Sequence, residues 1–197
     1  MKKRTITIYE YDDLGERAKE HAIDNIRYNG YLDYDWHDGV YEDSKQIGKI
    51  LGINIDEIYF RGFSSQGDGA CFVGEYDYKI GSTKEIREYA PLDTTLHGIA
   101  DNLCAIQRNR FYKISATIKH SGHYYHSGCT DIDVHHDDYC LYYNDDCVNE
   151  LIEVLRDFMN WIYRTLEKEY EYLNTDEQIE EFIRANGYEF KDNGELY

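Results

Sequence analysis

The sequence predicts an α+β fold: a mainly antiparallel sheet packed with several helices, the longest of them C-terminal. Three observations carry that prediction. At Tyr59–Gly74 two apolar aromatic runs flank a small polar loop, which is the pattern of a hairpin. Phe111–Lys119 alternates apolar and polar residues, as an amphipathic strand does. From Val148 onward apolar residues recur at three-four spacing, the mark of a buried helix face. Strand and helix signals alternate irregularly and no fixed-period repeat occurs, which points to α+β. One proline and no Pro-rich or Gly/Ser-rich tract leave no candidate linker, so residues 1–197 are expected to form one domain. Its helical C-terminal part, 146–197, is expected to end in a hairpin.

Element by element, Arg4–Tyr11 reads as a first strand with Ile6 and Ile8 on one face. Asp13–Glu16 has capping-box spacing and opens a helix that buries Leu14, Ala18, Ala22 and Ile26 and ends at Asn29-Gly30. Val40, Ile47 and Leu51 mark a shorter helix stopped by Gly52. In the central hairpin, Gly67 and Gly69 are expected at positive φ, with Asp68 favouring the turn between them. Ser82–Glu85 repeats the capping-box pattern ahead of a helix bounded by Pro91, and Asp93 caps the next, whose stripe is Leu96, Ile99, Ala100, Leu103 and Ile106. Tyr112, Ile114, Ala116 and Ile118 face inward from the strand that follows. The C-terminal helix runs roughly 25 residues through Tyr170. Asn174 or Thr175 caps another helix, closed by Asn186-Gly187, and Asn193-Gly194 turns the terminal hairpin.

Hydrophobic content of 42% with 15% aromatic residues excludes a disordered chain. No run approaches the roughly 20 apolar residues of a membrane helix, and the basic N-terminus lacks the apolar core of a signal peptide. A cytosolic protein is expected. Its five cysteines, Cys71, Cys104, Cys129, Cys140 and Cys147, are then reduced thiols, and without a Cys-x-x-Cys they do not form a zinc ribbon.

Charge is the strongest compositional signal: 39 acids against 21 bases give −18. Such a surface repels nucleic-acid phosphates and attracts basic partners. The 21 tyrosines interleave with acids, and tyrosine is enriched at binding surfaces. The candidate partner-binding residues are therefore Asp33, Asp35, Trp36, Asp38, Glu42 and Asp43 in one stretch, and Asp137, Asp138, Asp145 and Asp146 in another. Arg108, Arg110, Lys113 and Lys119 form the one basic patch, expected to pair internally with acids.

The loop Ser64, Ser65, Gln66, Gly67, Asp68, Gly69 could cradle a phosphate only if a helix followed, and the residues after it read as a strand. Zinc-type ligands gather at His120–Asp138, where His120, His123, His126 and Cys129 recur every third residue. That repeat does not suit a strand, whose period is two. The expectation is a hairpin with polar histidines on its wet face, no metal and no cofactor. Cys129 has histidines nearby in sequence, but a thiol–imidazole pair must be assembled in space. No catalytic residue is assigned.

Arg4–Tyr9, Gly62–Ala70, His123–Gly128 and Trp161–Arg164 resemble a family of small acidic proteins of bacteriophages and prophages. Proteins of this look carry labels such as antitoxin, and phage proteins of this size and charge include anti-CRISPR and anti-restriction inhibitors of host nucleases. The resemblance brings no catalytic residues. It implies an acidic inhibitor that occupies the basic nucleic-acid channel of a host defence enzyme, such as a CRISPR or restriction nuclease, in the bacterial cytoplasm. The alternatives are an antitoxin that neutralises a basic toxin, or a metal-dependent enzyme built on His120–His136.

Overall fold

The computed structural model describes residues 7–30, 35–136 and 146–197. In chain order the elements are β1 (Tyr9–Glu10), α1 (Glu16–Tyr28), α2 (Asp38–Leu51), β2 (Ile53–Arg61), β3 (Gly69–Tyr76), α3 (Ser82–Tyr89) and α4 (Thr94–Asn109). There follow β4 (Ile114–His120), β5 (Thr130–His136), α5 (Asp146–Leu173), α6 (Asp176–Asn186) and β6 (Glu189–Phe190). The class is α+β: β2–β3–β4–β5 form an antiparallel sheet, and α5 is the longest helix. Among the described residues no helix is long and apolar enough to cross a membrane.

The chain forms two compact units. One draws on residues 1–36 and 168–197, and the other is His37–Glu167. Because the first is assembled from both chain ends, no linker marks it in the sequence. Its core joins Leu14, Ala18, Ala22 and Ile26 of the α1 region to Ile179, Ile183 and Phe190. The expected first strand is much shorter among the described residues. Pairing is confined to Tyr9–Glu10, opposite Phe190 and Glu189, because Tyr11 turns into a 3-10 segment, Tyr11–Asp13. There its buried ring meets Phe190 edge-on at 6.3 Å. That segment also takes up Asp13, so the capping box does not form; α1 starts from Gly15 without a side-chain cap. Thr175 does cap α6, accepting from Gln178 N–H, and the terminal hairpin is present, with Lys191 N–H donating to Glu195 C=O at 2.8 Å.

In the larger unit, Gly52 ends α2 in the left-handed conformation and the chain enters β2. The ladder to β3 slips between Ile55 and Glu57, which makes Asp56 an extra residue. Without that bulge Ile58 would point away from the core that holds Ile53 and Ile55; with it all three are buried. β3 carries Phe72 against Phe158 of α5, ring centroids 5.8 Å apart, and Tyr76 against Gln107 of α4. Leu151, Leu155, Phe158, Met159, Ile162 and Leu166 line the buried face of α5, as their spacing predicts. Asp93 caps α4 through Leu96 N–H at 3.0 Å, and its second oxygen accepts from Trp161 Nε1 at 2.8 Å, tying the helix start to α5.

Two local expectations change here. Helix α3 starts after Gly81, at φ 85°, so Ser82 lies one residue inside it and the Ser82–Glu85 box does not form. The strand expected from Phe111 begins at Ile114. Phe111 and Tyr112 are both left-handed, at φ 55° and 62°, because they close α4: Tyr112 N–H returns to Gln107 C=O at 2.8 Å. This turn leaves Tyr112, expected to face inward, 44% exposed, with Phe111 beside it 82% exposed.

Gln107 is wholly buried and serves three groups: its amide donates to Ile114 C=O at 2.5 Å and Tyr76 Oη at 3.3 Å, and accepts from Ile114 N–H at 3.4 Å. Gln107→Leu strands these partners without water and is expected to lower unfolding free energy by about 1–3 kcal/mol in urea titration. A loss below a few tenths would show that the partners find other bonds.

Burial also pushes Tyr76, Tyr41 and Cys71 up to about 12, from ordinary values of 10.0, 10.0 and 9.0. For Tyr76 this outweighs the opposing Gln107 hydrogen bond. Each folded group holds its proton more tightly than the unfolded one. Their stability contribution is therefore whole below pH 9 and is lost as pH rises through about 12. Melting temperature should fall steeply across that window; a flat profile would contradict the burial of these groups.

Candidate functional site

In the antiparallel order β2–β3–β4–β5, the β2–β3 and β4–β5 connections fall at the same end of the sheet. This brings together the glycine loop, 62–68, and the histidine loop, 121–129, which lie far apart in sequence.

The first loop is braced by its own aspartate. Asp68 Oδ2 accepts from Ser64 N–H at 2.8 Å and Ser65 N–H at 2.6 Å, and Tyr163 of α5 donates its hydroxyl to Gly62 C=O at 3.3 Å. Ser64, Ser65 and Gln66 are exposed. Gly67 has the expected positive φ, 92°, and a Cβ there would stand 2.4 Å from the Tyr124 ring. Gly69 differs from expectation: it lies in β3 without a positive φ, and its requirement is space. A Cβ on Gly69 would stand 2.6 Å from His126 Cα, so the second loop crosses directly over it.

Aromatic rings cover the junction. Tyr59 stacks on Tyr125 with centroids 5.6 Å apart and lies 5.1 Å from His120, while Tyr124 stacks on His126 at 6.3 Å. Tyr59 donates its hydroxyl to Glu57, which raises the phenol's pKa. The three-residue histidine repeat resolves into separate duties. His120 Nε2 lies 3.0 Å from Tyr124 C=O, whereas His126 takes Gly128 N–H on Nδ1 at 3.1 Å and sets Nε2 3.4 Å from Cys129 Sγ. Among the described residues, no group of three or more His, Cys, Asp or Glu converges as a metal site requires. Tyr59, Tyr124 and Tyr125 are missing from the sequence-derived site; the rule that alternate hairpin connections share one end of a sheet is the signal that would have found them.

The proposed partner-binding acids are distributed differently. Asp38, Glu42 and Asp43 are exposed on α2, and Asp43 accepts from Tyr89 Oη. In the smaller unit Asp35 is exposed and the Trp36 ring lies 5.6 Å from Tyr170. Asp146 opens α5 and lines a groove with Asn102, Asn109, Asn149, Glu150 and Glu153, over Ala105, Ile106 and Val154. Asp33, Asp137, Asp138 and Asp145 lie outside the described residues. Of the basic patch, Lys119 pairs with Asp133 at 3.6 Å and Arg108 is hydrogen-bonded to Tyr112, which raises its pKa.

A family model described as a domain of unknown function, DUF8835, matches residues 36–176. The chain belongs to this family. No curated protein and no solved structure matches it. The DUF8835 match takes in the whole larger unit, and with it both loops and the acidic residues of α2 and early α5.

The close approach at Gly69 gives a direct test of the two-loop arrangement in the DUF8835 domain. Gly69→Ala meets backbone, which cannot rotate aside, and is expected to lower stability by about 1–3 kcal/mol in urea titration. Gly67→Ala meets a ring that can move but also needs positive φ, so it too should destabilise. A Gly69→Ala chain with wild-type stability would mean that the loops do not pack in this way.

Proposed function

We propose that the protein acts by binding, as an acidic inhibitor of phage type that lays its carboxylates on the basic nucleic-acid channel of a host defence enzyme. The observation that carries this reading is the acid surplus. If each of the 21 bases paired with one acid, 18 of the 39 acids would still lack a cation. Many bases are already engaged, as Arg87 is with Asp101 and Lys79 with Glu85.

The surplus is set out in exposed rows. Asp38 and Glu42 share one face of α2, four residues apart, with Asp43 beside them. The groove of about 650 Å³ between α4 and α5 carries Asp146, Glu150 and Glu153 and, among the described residues, is lined by no base, although Arg156 donates to Glu153 at 3.1 Å. Nearby, burial and the charge of Glu153 raise the Asp157 carboxyl above its ordinary value. Removing repulsion of this kind is one gain that a cationic partner offers. A Cas9-type channel, which holds a duplex by its phosphates, presents suitable cations. The resemblance to phage proteins supports a CRISPR or restriction nuclease as the target and the bacterial cytoplasm as the place of action. Direct nucleic-acid contact has no part in it, because the net charge opposes it.

The test is DNA cleavage by a purified guide-loaded Cas9-type nuclease and by restriction endonucleases, with the protein titrated in. Inhibition is expected for one of them and should weaken strongly between about 0.05 M and about 0.5 M salt, since screening shortens to a few ångströms. The triple variant Asp38→Asn, Glu42→Gln, Asp43→Asn should need roughly tenfold more protein for the same inhibition, a change of about 1.4 kcal/mol. Inhibition that ignores both salt and these substitutions would remove electrostatic docking as the mode.

A further inference from the structure

We propose that Cys129 is a modification site: a thiol positioned by His126 to exchange with low-molecular-weight disulfides. Both residues lie in the second loop, His126 ahead of the 3-10 turn Ser127–Cys129 and Cys129 at its end. His126 caps that turn by accepting Gly128 N–H on Nδ1 at 3.1 Å. With Nδ1 used as an acceptor, the proton of the neutral ring sits on Nε2, which faces Cys129 Sγ at 3.4 Å. The imidazole thus donates to sulfur. It is not placed to take the thiol's proton, which distinguishes this pair from the nucleophile–base dyad of a cysteine hydrolase.

Access and contrast support the assignment. Cys129 is partly exposed, whereas Cys71 is fully buried, and burial pushes its thiol up to about 12. Of these two thiols only Cys129 meets solvent. On one side its sulfur faces Gly122, where even a Cβ would stand 3.9 Å away and no side chain exists to cover it.

In the reaction the Cys129 thiol releases its proton to water, and the sulfur attacks one sulfur of a disulfide R–S–S–R. A new Cys129–S–S–R bond forms, the S–S bond of the original disulfide breaks, and R–S⁻ leaves and takes up a proton. The Nε2–H donor steadies negative charge on Cys129 sulfur during attack and during the reverse reaction. The added group lies beside His126, whose backbone crosses Gly69, so the mixed disulfide should loosen the two-loop face.

The experiment treats the folded full-length chain with oxidised glutathione and, separately, with an aromatic disulfide reagent, and follows each cysteine by peptide mass spectrometry. Cys129 should react about tenfold faster than the similarly exposed Cys147. His126→Asn keeps an acceptor for Gly128 N–H but has no donor that reaches the sulfur, so it should slow Cys129 severalfold and leave Cys147 unchanged. Equal rates at Cys129 and Cys147, or an unslowed Cys129 in a folded His126→Asn chain, would overturn the proposal. Should that variant fail to fold, by circular dichroism, the ranking within the wild-type chain decides. Either outcome is independent of nuclease inhibition.

Discussion

The first half of strand β3 is buried on both sides, and the larger unit is built around it. One face carries Ala70, Phe72 and Tyr76 into the helical layer, where Phe158 and Gln107 receive the last two. The other carries Gly69 and Cys71 beneath the histidine loop. A strand covered twice cannot alternate apolar and polar residues, which is why Cys71-Phe72-Val73-Gly74 reads as a continuous apolar run. The helical layer supplies most of the apolar burial. The loop layer demands only small residues, so that one backbone can cross another.

The two kinds of surface in this unit follow different physics. The acidic rows of α2 and early α5 act over distance, through a field that salt shortens, and tolerate exchange among carboxylates. The two-loop junction acts by contact: a missing Cβ at residue 69, a stacked Tyr59–Tyr125 pair and an imidazole aimed at a sulfur. Charge suits recognition of a broad basic face, whereas contact geometry suits chemistry at a single atom. Both surfaces lie within the stretch matched by the DUF8835 family.

Side-chain capping is the weakest of the sequence signals in this chain, and the reason is local. Asp93 and Thr175 cap as expected because the residue before each helix is itself the capping residue. Asp13 and Ser82 fail because a 3-10 turn and a left-handed glycine each move the helix start by a residue or more. Phe111 and Tyr112 likewise have the alternation of a strand, but the geometry that ends α4 claims them first.

By itself the sequence determined the class, the hairpins, the long C-terminal helix and the acidic surface, because each depends on periodicity or composition within a short window. It also located both loops and the histidine-rich segment. Only the tertiary structure decided that those loops meet, since antiparallel strand order places their ends together across more than fifty residues of chain. It decided as well that Gly69 is needed for space and not for its φ angle, and that His126 faces Cys129. The assembly of one unit from both chain ends was equally invisible, because the pairing of β1 with β6 joins segments that no local pattern connects.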